Sequence, residues 1–380
     1  MHKFNEKKIK QLTKVNTFLK AFFRSQALLD IIRIDTVQTI LIIDFNAIGD
    51  SFMLEPFLRV IKNNIPDARI HLACRPHAKI IFRDQGLVEK YYLCEERIFA
   101  SKNHLIHSLI HAKRTLNKIR NTQYDLILEP RGDLRDILFM YFCNGKRKVG
   151  YTYTGGEYMM TDPIEPDANI EHLIDDKMYF LKQIGCSYNS EDIIPRYQLT
   201  EKQLADNKAF IKKHRIGEKK IIGIHPGASK DIKRWRKFPE LLRLINKYYS
   251  DVYFLIFSEG DEFESEKNLL IEANRLKVDY YHVNTDLREY IQKLALCDMV
   301  ICNDSSAAHI AAALGVEVHV IFGPVMSKMA KPYSFAPVHI YECNDVSCRP
   351  CNQSGCQRKN ECLQRITVEE VFDGVQKSMG

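Results

Sequence analysis

Apolar positions recur along this chain in two rhythms. Over residues 9–22, Ile9, Leu12, Val15, Leu19 and Phe22 stand three or four apart with lysines between them, which predicts an amphipathic helix. From residue 39 the rhythm shifts to short β-branched runs. The run 39–45 predicts a buried strand and Asn46-Ala-Ile-Gly-Asp50 a turn, where Gly49 permits close backbone approach. A helix over 51–64, ended by Pro66-Asp67, and a strand over 69–74 complete a βαβ opening. A further strand is predicted at 124–128, running into the polar turn Glu129-Pro-Arg-Gly-Asp133. Residues 186–220, with Pro195, loosen into a polar linker. The rhythm then restarts with strands at 221–225, 252–257, 299–303 and 316–322 and a small-residue helix over 307–314. Strands alternating with helices predict an α/β fold of two doubly wound parallel sheets, both Rossmann-like, facing a central cleft. The expected divisions are a basic arm (1–36), two domains (37–195 and 196–340), and a cysteine-rich segment with a C-terminal helix (341–380).

Composition fits this picture. A chain of 380 residues suits two domains, and 45% hydrophobic with 27% charged residues is the balance of a globular protein with a full core. No run approaches the roughly 20 apolar residues that span a bilayer, and the charged first 35 residues lack a signal-peptide core, so a cytoplasmic location is expected. The net charge of +7 is local: residues 1–35 hold eight basic and three acidic side chains, which leaves the body nearly neutral. That distribution argues against a nucleic-acid partner. The arm has two readings. Its apolar stripe docks on the body, or it lies peripherally on the anionic inner membrane face, where each basic residue contributes on the order of 1 kcal/mol.

In an open parallel sheet, ligands bind beyond the carboxyl ends of the strands. Asn303-Asp-Ser-Ser-Ala-Ala-His309 occupies such a turn and opens a helix, whose free N–H groups favour anions. Asp304, Ser305, Ser306 and His309 together exceed what a helix cap requires. His225-Pro-Gly-Ala-Ser-Lys-Asp-Ile-Lys-Arg-Trp235 follows another strand: Gly227 and Ala228 keep the backbone open, Ser229 can donate, and Lys230, Lys233 and Arg234 bring cations suited to a diphosphate leaving group. Asp50 reads either as an N-cap or as a general base. No G-x-G-x-x-G or P-loop occurs, and no Asp-x-Asp pair is present to hold a catalytic divalent cation. Cys348, Cys351, Cys356 and Cys362, just after Cys343, read as a structural zinc or iron site, as reduced core thiols, or as a disulfide.

Three stretches together resemble glycosyltransferase family 9, the ADP-heptose:lipopolysaccharide heptosyltransferases: Ala47-Ile-Gly-Asp-Ser-Phe-Met-Leu-Glu-Pro56, His225-Pro-Gly-Ala-Ser229 with Lys233 and Trp235, and Asn303–Gly315 with Phe322-Gly-Pro324. The tail ending in Ile366-Thr-Val-Glu-Glu-Val371 is similar too, so the likeness runs from about residue 39 onward and leaves out the arm. The resemblance implies a GT-B-like fold and an inverting transfer of heptose, without catalytic metal, from ADP-heptose to a hydroxyl of the lipopolysaccharide inner core. It implies Asp50 as the base, Ser229 and Lys233 on the donor diphosphate, Asp304 on the donor sugar, and Ser305, Ser306 and His309 at the phosphates. Thr285 falls where the family contacts the nucleoside, with Glu262 at the ribose. Three features depart from the family pattern. Ser306 stands where the family has glycine, Asp44 stands where it often carries a basic residue, and the basic arm is additional. Two other readings belong beside this one: a heptosyltransferase acting on a protein acceptor such as an autotransporter adhesin, and a non-catalytic nucleotide-binding scaffold.

Overall fold

A computed structural model of the chain describes residues 6–24, 28, 30, 32–95, 105–258, 264–351 and 355–380. It divides into two compact units, Met1–Ile193 and Ile194–Gly380. The first unit holds a six-stranded sheet: β1 (Thr39–Asp44), β2 (Arg69–Cys74), β3 (Lys90–Leu93), β4 (Tyr124–Glu129), β5 (Gly145–Tyr151) and β6 (Asp162–Ile164). Its order is β3-β2-β1-β4-β5-β6, and every pair is parallel. The second unit holds β7 (Lys220–His225), β8 (Val252–Phe257), β9 (Tyr280–Val283), β10 (Met299–Asn303), β11 (Glu317–Phe322) and β12 (Val338–Glu342). Its order, β12-β11-β10-β7-β8-β9, is again wholly parallel. Counted within each unit, both sheets run 3-2-1-4-5-6, the doubly wound order whose direction of winding reverses between the first and fourth strands.

The central strands form because they are apolar on both faces. All six residues of β1 and of β8, and all five of β10, are buried, as a parallel sheet covered by helices on both sides requires. Edge strands β3, β6, β9 and β12 are short and partly exposed, and the hydrophobic pattern does not announce them.

The helix expected over 51–64 is two helices, Ile48–Phe52 and Glu55–Asn64. Pro56 has no N–H to continue an earlier helix, so it sits in the first turn of a new one. Gly49 accordingly lies inside a helix and not in a turn. The stretch expected as a linker contains the helix Glu201–Lys213, started by a reciprocal capping box between Thr200 and Gln203 and anchored by buried Gln203, Asn207 and Phe210.

The arm forms the helix Glu6–Leu19 and docks on the first unit. Leu12, Leu19 and Phe23 pack on that unit's core, the Tyr158 hydroxyl donates to the backbone and side-chain oxygens of Asn16 at 3.1 and 3.0 Å, and Phe23 meets Tyr141 edge-on. The docked face is not the whole stripe. Val15, Phe18 and Phe22 remain exposed, and the Phe18 and Phe22 rings lie 5.0 Å apart. No helix among the described residues is long and apolar enough to cross a membrane. At the other end, the helix Val368–Met379 buries Val371, Phe372 and Val375 in the second unit's core together with Cys362, Leu363 and Ile366.

Candidate functional site

In the second unit the reversal point lies between β7 and β10, and the turns after these two strands are held together by one buried amide. The Asn303 side chain donates to the carbonyls of Pro226 (2.8 Å) and Gly227 (3.3 Å) and accepts from the Trp235 N–H (2.9 Å). The 226–235 loop is thereby fixed to the end of β10. Trp235 is fully buried, and its indole N–H donates to the Ile366 carbonyl at 3.1 Å. Within this frame Lys233 Nζ lies 2.7 Å from Asp304 Oδ2, with side chains 15% and 8% exposed. Two residues 71 apart in sequence thus form a nearly buried ion pair at the head of the helix Ser306–Ala313.

The capping explanation of this turn fails. Asp304 pairs with Lys233, and Ser305, although at the N-cap position, makes no side-chain cap bond. Ser305 Oγ is shielded from solvent and has no hydrogen-bond partner within the described protein. His309 is buried in the first turns of the same helix, and Ser306 is half-buried at its start. Ser229 is exposed at the tip of the facing loop. Arg234 serves the loop itself: its guanidinium donates twice to the Ala228 carbonyl, at 3.1 and 2.7 Å. Behind the loop, a Cβ added at Gly227 would lie 3.0 Å from both a Glu266 carboxylate oxygen and His225 Nε2. A buried carboxylate and a buried imidazole therefore crowd this position, and the imidazole also meets the Tyr290 hydroxyl at 3.0 Å. Sequence reasoning did not single out Glu266; the acidic first turn of the helix Glu264–Leu276 was the available signal. Thr285 is half-buried just beyond the edge strand β9, beside the Asp286 N-cap. Glu262 lies outside the described residues.

The first unit has its own reversal point between β1 and β4. Asp50 occupies the first turn of the helix Ile48–Phe52, and its carboxylate accepts from the Ala47 N–H at 3.3 Å. Its surroundings include His77, unremarked in the sequence although it follows β2. Burial first, and then the Arg75 charge, hold the His77 imidazole below its ordinary pKa, while the Asn46 backbone and Asp50 pull it the other way. Asp44, at the end of β1, is buried and accepts a short hydrogen bond from the Asn46 side-chain amide. Glu129, ending β4, is fully buried and accepts from the Gly132 N–H at 2.6 Å. Asp133 caps the next helix and pairs with Arg135 at 2.7 Å.

Residues 112–361 match the sequence profile of Glycosyltransferase family 9 (heptosyltransferase). The chain belongs to glycosyltransferase family 9. The matched span contains the Lys233 and Asp304 turns but not Asp50. Two proteins named Lipooligosaccharide heptosyltransferase 2, from different strains of Campylobacter jejuni subsp. jejuni, are among its relatives. The O:2 strain's is 23% identical over 332 residues, covering 86% of this chain and 93% of its own. The O:6 strain's is 28% identical over 164 residues, covering 42% of this chain and 51% of its own. Among solved structures, E. coli ADP-heptose LPS heptosyltransferase II matches with TM-score 0.72 at 16% identity, over 90% of this chain and 98% of that one. The iron-containing dodecameric glycosyltransferase TibC from enterotoxigenic E. coli matches with TM-score 0.55 at 10% identity, over 90% and 76%.

Family membership makes this chain a glycosyltransferase of the heptosyltransferase family, with two Rossmann-like sheets of GT-B type. The cysteines are all free thiols. Cys348 and Cys356 are exposed, Cys351 is half-buried and Cys362 is buried. Burial pushes the Cys362 thiol above its ordinary pKa; Arg349 lowers it, and Cys356, Cys348 and Cys351 raise it further, so the four share a neighbourhood. Among the described residues, however, the group of three His, Cys, Asp or Glu side chains whose ligand atoms gather within 4.8 Å is Glu317, His319 and His339, which includes none of the four.

Proposed function

We propose that this member of family 9 transfers heptose from ADP-heptose to a hydroxyl of the lipopolysaccharide inner core, with inversion and without a catalytic metal. The observation that carries the reading is the Lys233–Asp304 pair at the head of a helix, beside the unpartnered Ser305 hydroxyl. A cation, a helix N-terminus and a free hydroxyl together suit a diphosphate, and a carboxylate held beside them suits sugar hydroxyls. Ser229, Ser306 and His309 complete the phosphate contacts in this reading, with Thr285 and Glu262 toward the nucleoside. The reaction is a single displacement. Asp50 takes the proton from the acceptor hydroxyl, and that oxygen attacks the anomeric carbon from the face opposite the diphosphate. The carbon–oxygen bond to phosphate breaks, and ADP leaves with the electron pair, its charge met by Lys233 and the helix at Ser306.

A nucleotide-release screen of ADP-heptose against UDP- and GDP-sugars tests the donor, and release from another nucleotide alone would sink it. Asp50→Ala should lower kcat by about 10²- to 10⁴-fold, the usual contribution of a general base, and leave ADP binding intact; near-normal turnover would remove Asp50 from the role. If millimolar ADP raises the Tm but no sugar nucleotide is turned over, the scaffold reading takes over. A protein acceptor is the second reading, and the four-cysteine neighbourhood is the feature that raises it. Labelled sugar recovered on polypeptide and not on core lipid would establish it. As placed, the thiols do not fit around an ion, and no step depends on one. A structural zinc or iron there requires Cys348, Cys351, Cys356 and Cys362 to draw together, which elemental analysis of the purified chain can test. The docked arm supports peripheral contact with the inner face of the inner membrane, through its exposed apolar stripe.

A further inference from the structure

The second unit carries a set of side chains that the transfer reaction does not use. Glu317 and His319 are two apart on β11, so they face the same side of the sheet, and His339 on β12 is the register partner of His319. Glu317 Oε1 lies 2.8 Å from His339 Nε2 and 3.6 Å from His319 Nε2. All three ligand atoms lie within 4.8 Å of one another. The His319 side chain is fully buried, while those of Glu317 and His339 are 19% and 35% exposed, so the group is walled on one side and open to solvent on the other. His319 Nδ1 is engaged by the Tyr341 hydroxyl at 2.8 Å, which leaves Nε2 facing the carboxylate. Ser378, on the helix Val368–Met379, places Oγ 3.2 Å from His319 Nε2 and donates a short hydrogen bond to Glu317 Oε1.

We propose that Glu317, His319 and His339 form a binding site for a zinc-class divalent cation, with the Ser378 hydroxyl or a water as fourth ligand. Two imidazoles and one carboxylate are a borderline donor set that suits zinc and discriminates against magnesium and calcium, which take oxygen. The Tyr341 contact supplies the outer-shell hydrogen bond that fixes the ring orientation of a ligating histidine. Tetrahedral zinc with bonds of about 2.0–2.2 Å separates its ligand atoms by about 3.4 Å. The His319–Glu317 spacing of 3.6 Å already matches. Binding would open the His339–Glu317 contact by about 0.6 Å and splay the two histidine rings, which stack at 4.4 Å and 13°. Glu317 begins β11, whereas the Lys233 and Asp304 turns lie beyond the carboxyl ends of β7 and β10. The ion would therefore tie β11, the edge strand β12 and the helix Val368–Met379 together, and would act on stability and not on transfer.

The test uses the full chain with Zn²⁺ alone as the probe. Cys348→Ser, Cys351→Ser and Cys356→Ser are combined as background, so that thiols do not compete. This background should bind one Zn²⁺ per chain against a chromophoric chelator and rise in Tm when Zn²⁺ is added. Adding His339→Gln should weaken binding by at least about 10- to 100-fold, the range that loss of an outer-shell partner alone costs, and abolish the Tm rise. Glu317→Gln provides the same readout if the histidine variant does not fold. No Zn²⁺ binding by the background chain, or unchanged affinity in both variants, would overturn the site. Heptose transfer is measured on the wild-type chain and depends on neither result, so the two proposals fail separately.

Discussion

At Lys233 and Asp304, two opposite charges are nearly withdrawn from water and lie 2.7 Å apart. Removing one of them strands the other, which typically costs about 3–5 kcal/mol. Lys233→Ala should therefore lower stability in chemical denaturation and weaken ADP binding in calorimetry. Lys233→Ala combined with Asp304→Asn should recover most of the stability and none of the affinity; recovered affinity would mean that the lysine only balances the aspartate. A second charge acts on acid stability. Burial alone would raise Asp125, but Lys146, the backbone amides of Gln38 and Thr39 and the Thr39 hydroxyl hold it down to about 2. Its folded pKa is then below the unfolded value of about 3.9. The stability it contributes is complete above that value and lost as pH falls from about 4 to about 2. The Tm difference between wild type and Asp125→Asn should be widest above pH 5 and vanish near pH 2. The chemistry-bearing residues of the second unit were legible because they follow strongly apolar strands. His77 and Glu266 were not, because each reaches its site through the packing of a helix that carries no motif.

Among the elements, most interior strands were readable, whereas the edges and the interior strand β5, which carries Lys146, Arg147 and Lys148, were not. A run such as Val252–Phe257 declares itself by being apolar throughout, whereas Asp162–Ile164 has three residues and a proline and becomes a strand only because β5 is there to pair with. The cut at Pro56 shows the same limit: helical periodicity survives across 51–64, and backbone chemistry divides it. The turn after β11 gives a test at this scale. A Cβ at Gly323 would lie 2.8 Å from Leu363 Cγ. Gly323→Ala should destabilise by about 1–3 kcal/mol through overpacking, and Leu363→Ala in the same chain should relieve part of that loss. If Tm is unchanged in Gly323→Ala, the tail does not bear on that turn.

Across the whole molecule, the arm has two apolar sides. Leu12, Leu19 and Phe23 pack against the first unit's core, while Val15, Phe18 and Phe22 are exposed near Lys14, Lys20 and Arg24. Flotation with vesicles of anionic lipid should carry the wild-type chain, less of it at high salt, and little of a Phe18→Ser, Phe22→Ser variant. Equal flotation of both would leave the stripe without a lipid role. Beyond its place in the site, the bond from the Trp235 indole to the Ile366 carbonyl also has a consequence in time. It joins residues 131 apart, and the Lys237 ammonium reaches the same carbonyl at 2.9 Å. A ribosome adding about 5–20 residues per second takes about 7–26 s to travel that distance. Throughout that interval the nascent chain already contains Lys233 but not the backbone that anchors its loop, so the turn carrying Lys233 is held in place only after residue 366 has been made.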